Sequence, residues 1–137
     1  KKIKGDVHDP NAWVIQEKVS HAGIFATIEG LIKTLLLLEA KYYITSYFFE
    51  KIEKIDSEDR FVYGWDRVMD NEDTLAGGSC SKHTIGHLGF TGTSFWIDCE
   101  KKRGVVILSN ITKKGWYQKH NLNEIRRQVG NYFWEYK

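Results

Sequence analysis

The chain has 137 residues, 42% hydrophobic and 28% charged, with 20 Lys and Arg against 18 Asp and Glu for a net charge of +2. That length is one domain's worth, the balance excludes long disorder, and so small a net charge makes no electrostatic case for nucleic acid. The longest aliphatic run, Leu35-Leu36-Leu37-Leu38, falls far short of the ~20 residues that span a bilayer, so neither a nucleic-acid partner nor a membrane span is expected.

No apolar stretch follows Lys1-Lys2-Ile3-Lys4-Gly5, so no signal peptide opens the chain. The first residue is not Met, and the sequence reads as a processed product or a piece of a longer protein. Its compartment is unknown on these grounds.

Residues 1–24 read as irregular, because Lys4-Gly5-Asp6-Val7-His8-Asp9-Pro10-Asn11-Ala12 is rich in turn formers. A helix is expected from Thr27, an N-cap residue with Glu29 in the turn after it and Leu31, Ile32, Leu35 and Leu38 at helical spacing. Residues 42–55 hold strand-forming aromatics, but Phe48, Ile52, Ile55 and the Glu50–Lys54 pair favour a second helix. Asp56-Ser57-Glu58-Asp59 is a solvated break.

Residues 61–68 read as a strand, 70–81 as a loop around Gly77-Gly78, and 86–98 as one long strand. A turn over 98–104 leads into Val105-Val106-Ile107-Leu108, whose unbroken apolar character suggests a central strand covered on both faces. The last helix should bury Leu122, Ile125, Val129, Tyr132, Phe133 and Tyr136 and turn Glu124, Arg126, Arg127 and Glu135 to solvent. The expected fold class is α+β, an antiparallel sheet flanked by helices.

Cys80 and Cys99 stand at opposite ends of the expected long strand. A strand of ~12 residues is about 40 Å long, whereas bridged Cα atoms lie within ~7 Å. Both thiols are expected to be free.

Gly86, Gly89 and Gly92 surround His87 and allow close backbone approach, so an imidazole among them at a strand start can face a cleft. The alternative is that the glycines relieve packing against a helix and His87 is a bystander. His83 and His87 are four apart, but a metal pair at that spacing needs a helix and Gly86 argues for a strand. Neither a metal nor a cofactor is expected.

His8-Asp9 is readable as a base and its orienter, although a turn made by Asp9 before Pro10 is the preferred reading. His21 should help order the following helix start. The basic runs at 1–4, 101–103 and 113–114 are solvated faces. Ser79-Cys80-Ser81-Lys82 spells Ser-x-x-Lys. That chemistry needs Ser and a desolvated Lys one turn apart on a buried helix, and a segment between Gly77-Gly78 and a strand cannot provide it.

Gly86-His87-Leu88-Gly89-Phe90-Thr91-Gly92-Thr93-Ser94-Phe95-Trp96-Ile97-Asp98 resembles the third motif and following strand of the serine β-lactamase and penicillin-binding-protein superfamily, nearest its class C-like branch of related esterases and D-aminopeptidase-like enzymes. Val7-His8-Asp9-Pro10-Asn11-Ala12, Ser20-His21-Ala22-Gly23-Ile24-Phe25-Ala26-Thr27 and Tyr63-Gly64-Trp65 resemble other stretches of that branch, in the same order. The likeness implies the C-terminal part of a β-lactamase/transpeptidase-like domain.

That family acts by acyl transfer through a seryl intermediate, on a β-lactam, a D-amino-acid peptide or a small ester. Its Ser-x-x-Lys and Tyr-x-Asn or Ser-x-Asn motifs lie upstream of the matched region, and no Tyr-x-Asn or Ser-x-Asn occurs here. The resemblance implies a catalytic role for His87, the basic residue of the third motif. It implies substrate binding by Gly86, Leu88, Gly89, Phe90 and Thr91, with the amide of Phe90 or Thr91 as oxyanion donor. Leu88 departs from the usual Thr or Ser and lacks the substrate-binding hydroxyl. A truncated or degenerate binding module is the other reading, and a partner chain or second copy is expected over the exposed sheet.

Overall fold

The computed structural model describes residues 5–55, 58–113 and 119–136. The basic residues at 1–4 and Lys114 lie outside them. The N-terminal stretch is less irregular than expected. Asp9 accepts the Ala12 amide at 2.9 Å and Pro10 supplies a preset φ, so helix α1 (Pro10–Ile15) starts there and stops at Gln16, whose φ is 56°.

Helix α2 (Ile28–Tyr42) begins at Thr27 as expected, with the Thr27 hydroxyl accepting the Gly30 amide at 3.1 Å. Residues 44–54 form helix α3 (Ile44–Lys54). Its first turn is capped from outside: Glu39 accepts the Thr45 amide at 2.9 Å and the Thr45 hydroxyl at 2.7 Å. Glu50 and Lys54 do pair, at 3.9 Å, in the open.

Five antiparallel strands follow in sequence order. They are β1 (Phe61–Val62), β2 (Trp65–Arg67), β3 (Thr84–Leu88), β4 (Ser94–Asp98) and β5 (Arg103–Ile107). Two stretches expected as single strands are hairpins. Within 61–68 the chain reverses at Tyr63 and Gly64, with φ of 50° and 83°, the positive pair that a tight two-residue turn needs. Within 86–98 it reverses over 89–93, so β3 and β4 pair with each other, His87 opposite Phe95. Alternation persists on both sides of a tight turn, so the pattern alone did not reveal the reversal.

Helix α4 (Lys119–Glu135) closes the chain over the opposite sheet face from α2 and α3. Thr84, Gly86, Leu88, Ser94 and Trp96 point to α4's side, where Val68, Ala76, Cys80, Trp96 and Trp134 form one core. Ile85 and Ile97 point to the other, joining Phe48 and Cys99. Cys80 and Cys99 are buried and free, as expected, but the reason is different: they belong to cores on opposite faces, not to the ends of one strand.

Two packing expectations fail. Strand β5 is an edge of the sheet, and residues 105–108 are only half-buried. On α4 the buried row is Leu122, Arg126, Gly130 and Trp134, while Ile125, Val129, Tyr132 and Tyr136 are exposed. Gly130 sets this rotation, since only a residue without a side chain fits against the Ala76 carbonyl. No residue of α2 is fully buried, and Ile28, Ile32, Leu36 and Leu37 are exposed. Among the described residues no helix is long and apolar enough to cross a membrane.

Candidate functional site

His87 is the last residue but one of β3, with its side chain exposed on the face away from α4. Its Nδ1 lies 3.0 Å from the Leu88 carbonyl oxygen. A carbonyl can only accept, so Nδ1 carries the proton and, in the neutral ring, Nε2 keeps its lone pair. The contact thereby favours one tautomer of the neutral imidazole.

Leu88 points the opposite way. It packs against the Trp96–Trp134 core and lines a cleft beneath the 89–93 turn. Gly86 is buried in the sheet, where an added Cβ would lie 2.4 Å from the Trp96 ring. These contacts give Gly86 and Leu88 packing roles of their own.

The turn is tightly held. The Gly89 amide donates to the Thr93 carbonyl at 2.8 Å, the Gly92 amide to the Gly89 carbonyl at 3.0 Å, and the Ile111 amide to the Thr91 carbonyl at 2.8 Å. Gly92 has a φ of 109°, and a Cβ there would meet the Ser109 hydroxyl at 2.3 Å. Arg126 reaches from α4 to the Thr93 carbonyl at 2.9 Å. Phe90 is exposed on the turn.

The other stretches gather at this hairpin. The His8 ring stands edge-on to Phe90 with centroids 5.3 Å apart. Asp9 is partnered by His21, at 3.1 Å, and not by His8. The Ala12 amide first, and His21 with it, hold the Asp9 carboxyl below its ordinary range. Val7 lies 3.1 Å from where a Cβ of Gly23 would stand. Loops 5–9 and 20–24 therefore form one unit beside the turn.

Ser79 and Lys82 do not meet. The Ser79 hydroxyl donates to Glu135 of α4 at 2.9 Å, whereas Lys82 pairs with Glu53 of α3 at 3.1 Å, across the sheet. His83 is likewise far from a metal-site arrangement with His87. It is buried between Glu53, at 2.5 Å, and Glu100, at 3.3 Å, and ties α3 to the β4–β5 turn.

Arg126 was missed as a residue near the site. Its signal was spacing: Leu122, Arg126, Gly130 and Trp134 recur every fourth position, a row hidden by the more apolar stripe beside it.

A family model described as Beta-lactamase matches residues 2–129. With nearly the whole chain matched, and an antiparallel sheet flanked by helices, the chain belongs to the β-lactamase family. No curated protein and no solved structure matches it.

Proposed function

We propose that the chain is the C-terminal portion of a β-lactamase-like serine hydrolase, a single domain whose nucleophile-bearing part lies upstream. The branch is the class C-like group of related esterases and penicillin-binding-protein-like enzymes. The reaction is acyl transfer on a β-lactam, a D-amino-acid peptide or a small ester. His87 borders the reacting carbonyl and stabilises developing charge. The Phe90 or Thr91 amide serves as oxyanion donor, and Gly89 lets substrate approach the strand end.

The observation that carries this reading is the exposed His87 ring beside the glycine turn, its Nδ1 tied to the Leu88 carbonyl. The separation of Ser79 from Lys82 argues that the nucleophile is not local. This chain by itself should therefore not turn over.

A fluorophosphonate label tests the reading. The chain alone should remain unlabelled, and the chain joined to its upstream portion should be labelled on an upstream serine. Labelling of Ser79 would overturn it. Leu88 favours the second reading, a degenerate binding module, because it fills the motif's hydroxyl position with a core side chain. That reading gains if the joined protein folds yet takes no label.

A further inference from the structure

His83 is only 6% exposed, yet each of its ring nitrogens stands against a carboxylate from a different element. Nε2 lies 2.5 Å from Oε1 of Glu53, in the last turn of α3, and Nδ1 lies 3.3 Å from Oε2 of Glu100, in the β4–β5 turn. Lys82 shares Glu53 at 3.1 Å. The Phe49 ring stands beside the imidazole, with centroids 4.5 Å apart. Among the described residues, Glu53 and Glu100, with Lys82 reached through Glu53, are the charged groups in ion-pair contact with this site.

A neutral imidazole has one N–H and one lone pair, whereas the imidazolium has two N–H donors. Only the imidazolium can donate to both acids at once. Its charge also balances the cluster, since His83 and Lys82 then face Glu53 and Glu100 as two cations against two anions. Without the extra proton, one ring nitrogen presents a lone pair to a carboxylate. The shorter contact keeps the remaining N–H, so Nε2 stays on Glu53. Glu100, more than half exposed, is then free to turn into solvent.

The turn that carries Glu100 is a junction of the helices. Lys102 reaches Glu39 of α2 at 4.0 Å, and Arg103 donates to the Trp134 and Tyr136 carbonyls at the end of α4, at 2.6 Å and 2.8 Å. The Glu100–His83 contact is its tie to α3.

We propose that His83 is a proton-operated latch: as the imidazolium it fastens α3 to the β4–β5 turn, and loss of its proton frees the turn while α3 keeps the ring. The latch is closed at lower pH and opens as pH rises through the titration of the ring. It also weakens in acid. His83 first, and Lys82 after it, hold the Glu53 carboxyl below its ordinary range, so that tie is complete above the ordinary carboxylate range and is lost as pH falls through the folded value. The inference does not depend on the reaction proposed above, since it is read without turnover.

The test follows the ¹⁵N,¹³C-labelled chain by NMR from about pH 5 to about pH 9, a span in which histidine charge changes are read. At the lower end both His83 ring nitrogens should carry protons, and residues 100–102 should be as ordered as β4, with backbone order parameters near ~0.85. As pH rises, Nδ1 should lose its proton while Nε2 keeps its own, and the order parameters of 100–102 should fall toward ~0.6 in the same titration. Glu100→Gln supplies a side-chain amide that accepts from a protonated Nδ1 and donates to a bare one. In that variant the turn should stay ordered at both ends of the range. Glu100 is more than half exposed, so the substitution leaves the core untouched. Five outcomes overturn the inference: a ring that keeps both protons throughout, a ring neutral throughout, proton loss from Nε2, turn order that does not follow the ring, or the same loss of order in Glu100→Gln.

Discussion

The indole N–H of Trp134 donates to the Ala76 carbonyl oxygen at 2.7 Å, and one turn earlier a Cβ at Gly130 would stand 1.8 Å from the same oxygen. The loop before β3 is thus clamped to α4 at a point where backbone touches backbone. Gly130→Ala gains ~1 kcal/mol of helix propensity but cannot be accommodated without moving α4. Its net effect should be a loss of about 2–3 kcal/mol. Trp134→Phe strands the carbonyl and should cost about 1–3 kcal/mol. Urea unfolding checks both, and an unchanged midpoint for Gly130→Ala would contradict this docking.

The thiols should be inert in the native state. Burial, with the Thr84 hydroxyl opposing it, pushes Cys80 up to about 11, and burial together with the Asp98 charge pushes Cys99 up to about 12. At pH 8 a disulfide reagent should react with neither in the folded chain and with both after denaturation. Rapid native reaction of either would mean that its core is open.

His87 and Leu88 should separate by readout. His87→Ala removes an exposed ring and should leave stability within ~0.5 kcal/mol. In the chain joined to its upstream portion it should lower turnover by ~10²–10³. Leu88→Thr restores the family's hydroxyl but opens the Trp96–Trp134 core, so it should lose about 1–2 kcal/mol. Thermal unfolding of both variants distinguishes the two roles, and a marginally stable Leu88→Thr protein should be assayed at reduced temperature.

The Asp9 unit should loosen in acid. Asp9 binds the Ala12 amide and then His21, and its folded-state pKa lies below the unfolded value. Its contribution is therefore complete above the ordinary carboxylate range of ~3.9 and disappears as pH falls through the folded value. The protection of the Ala12 amide, taken relative to its intrinsic exchange rate at each pH, should fall across that window in the native chain. Asp9→Asn should show no such step, and an identical step in both proteins would assign the loosening to another group.

Much of the fold was legible because it rests on local rules. Thr27 caps α2 through its own hydroxyl, Glu50 and Lys54 sit one turn apart on α3, and the 98–104 turn joins two strands. The hairpins were not legible, because alternation continues through a tight turn and only Tyr63, Gly64 and the 89–93 glycines mark the reversals. At the site, His87 and the glycines were visible as a cluster in sequence. The Asp9–His21 pair and the His8–Phe90 contact were not, since each joins segments that only the folded chain brings together.

By itself the sequence determined the class, an antiparallel sheet with helices, and the family, through ordered motifs along the chain. The tertiary structure decided which faces those elements present. Helical periodicity gives the spacing of a stripe but not its direction around the axis. On α4 the direction was set by the close approach of Gly130 to Ala76, which turned Tyr132 out and Arg126 in. The same limit applies on β3, where alternation places His87 and Leu88 on opposite faces and only the packing of Trp96 and Trp134 says which one is the core.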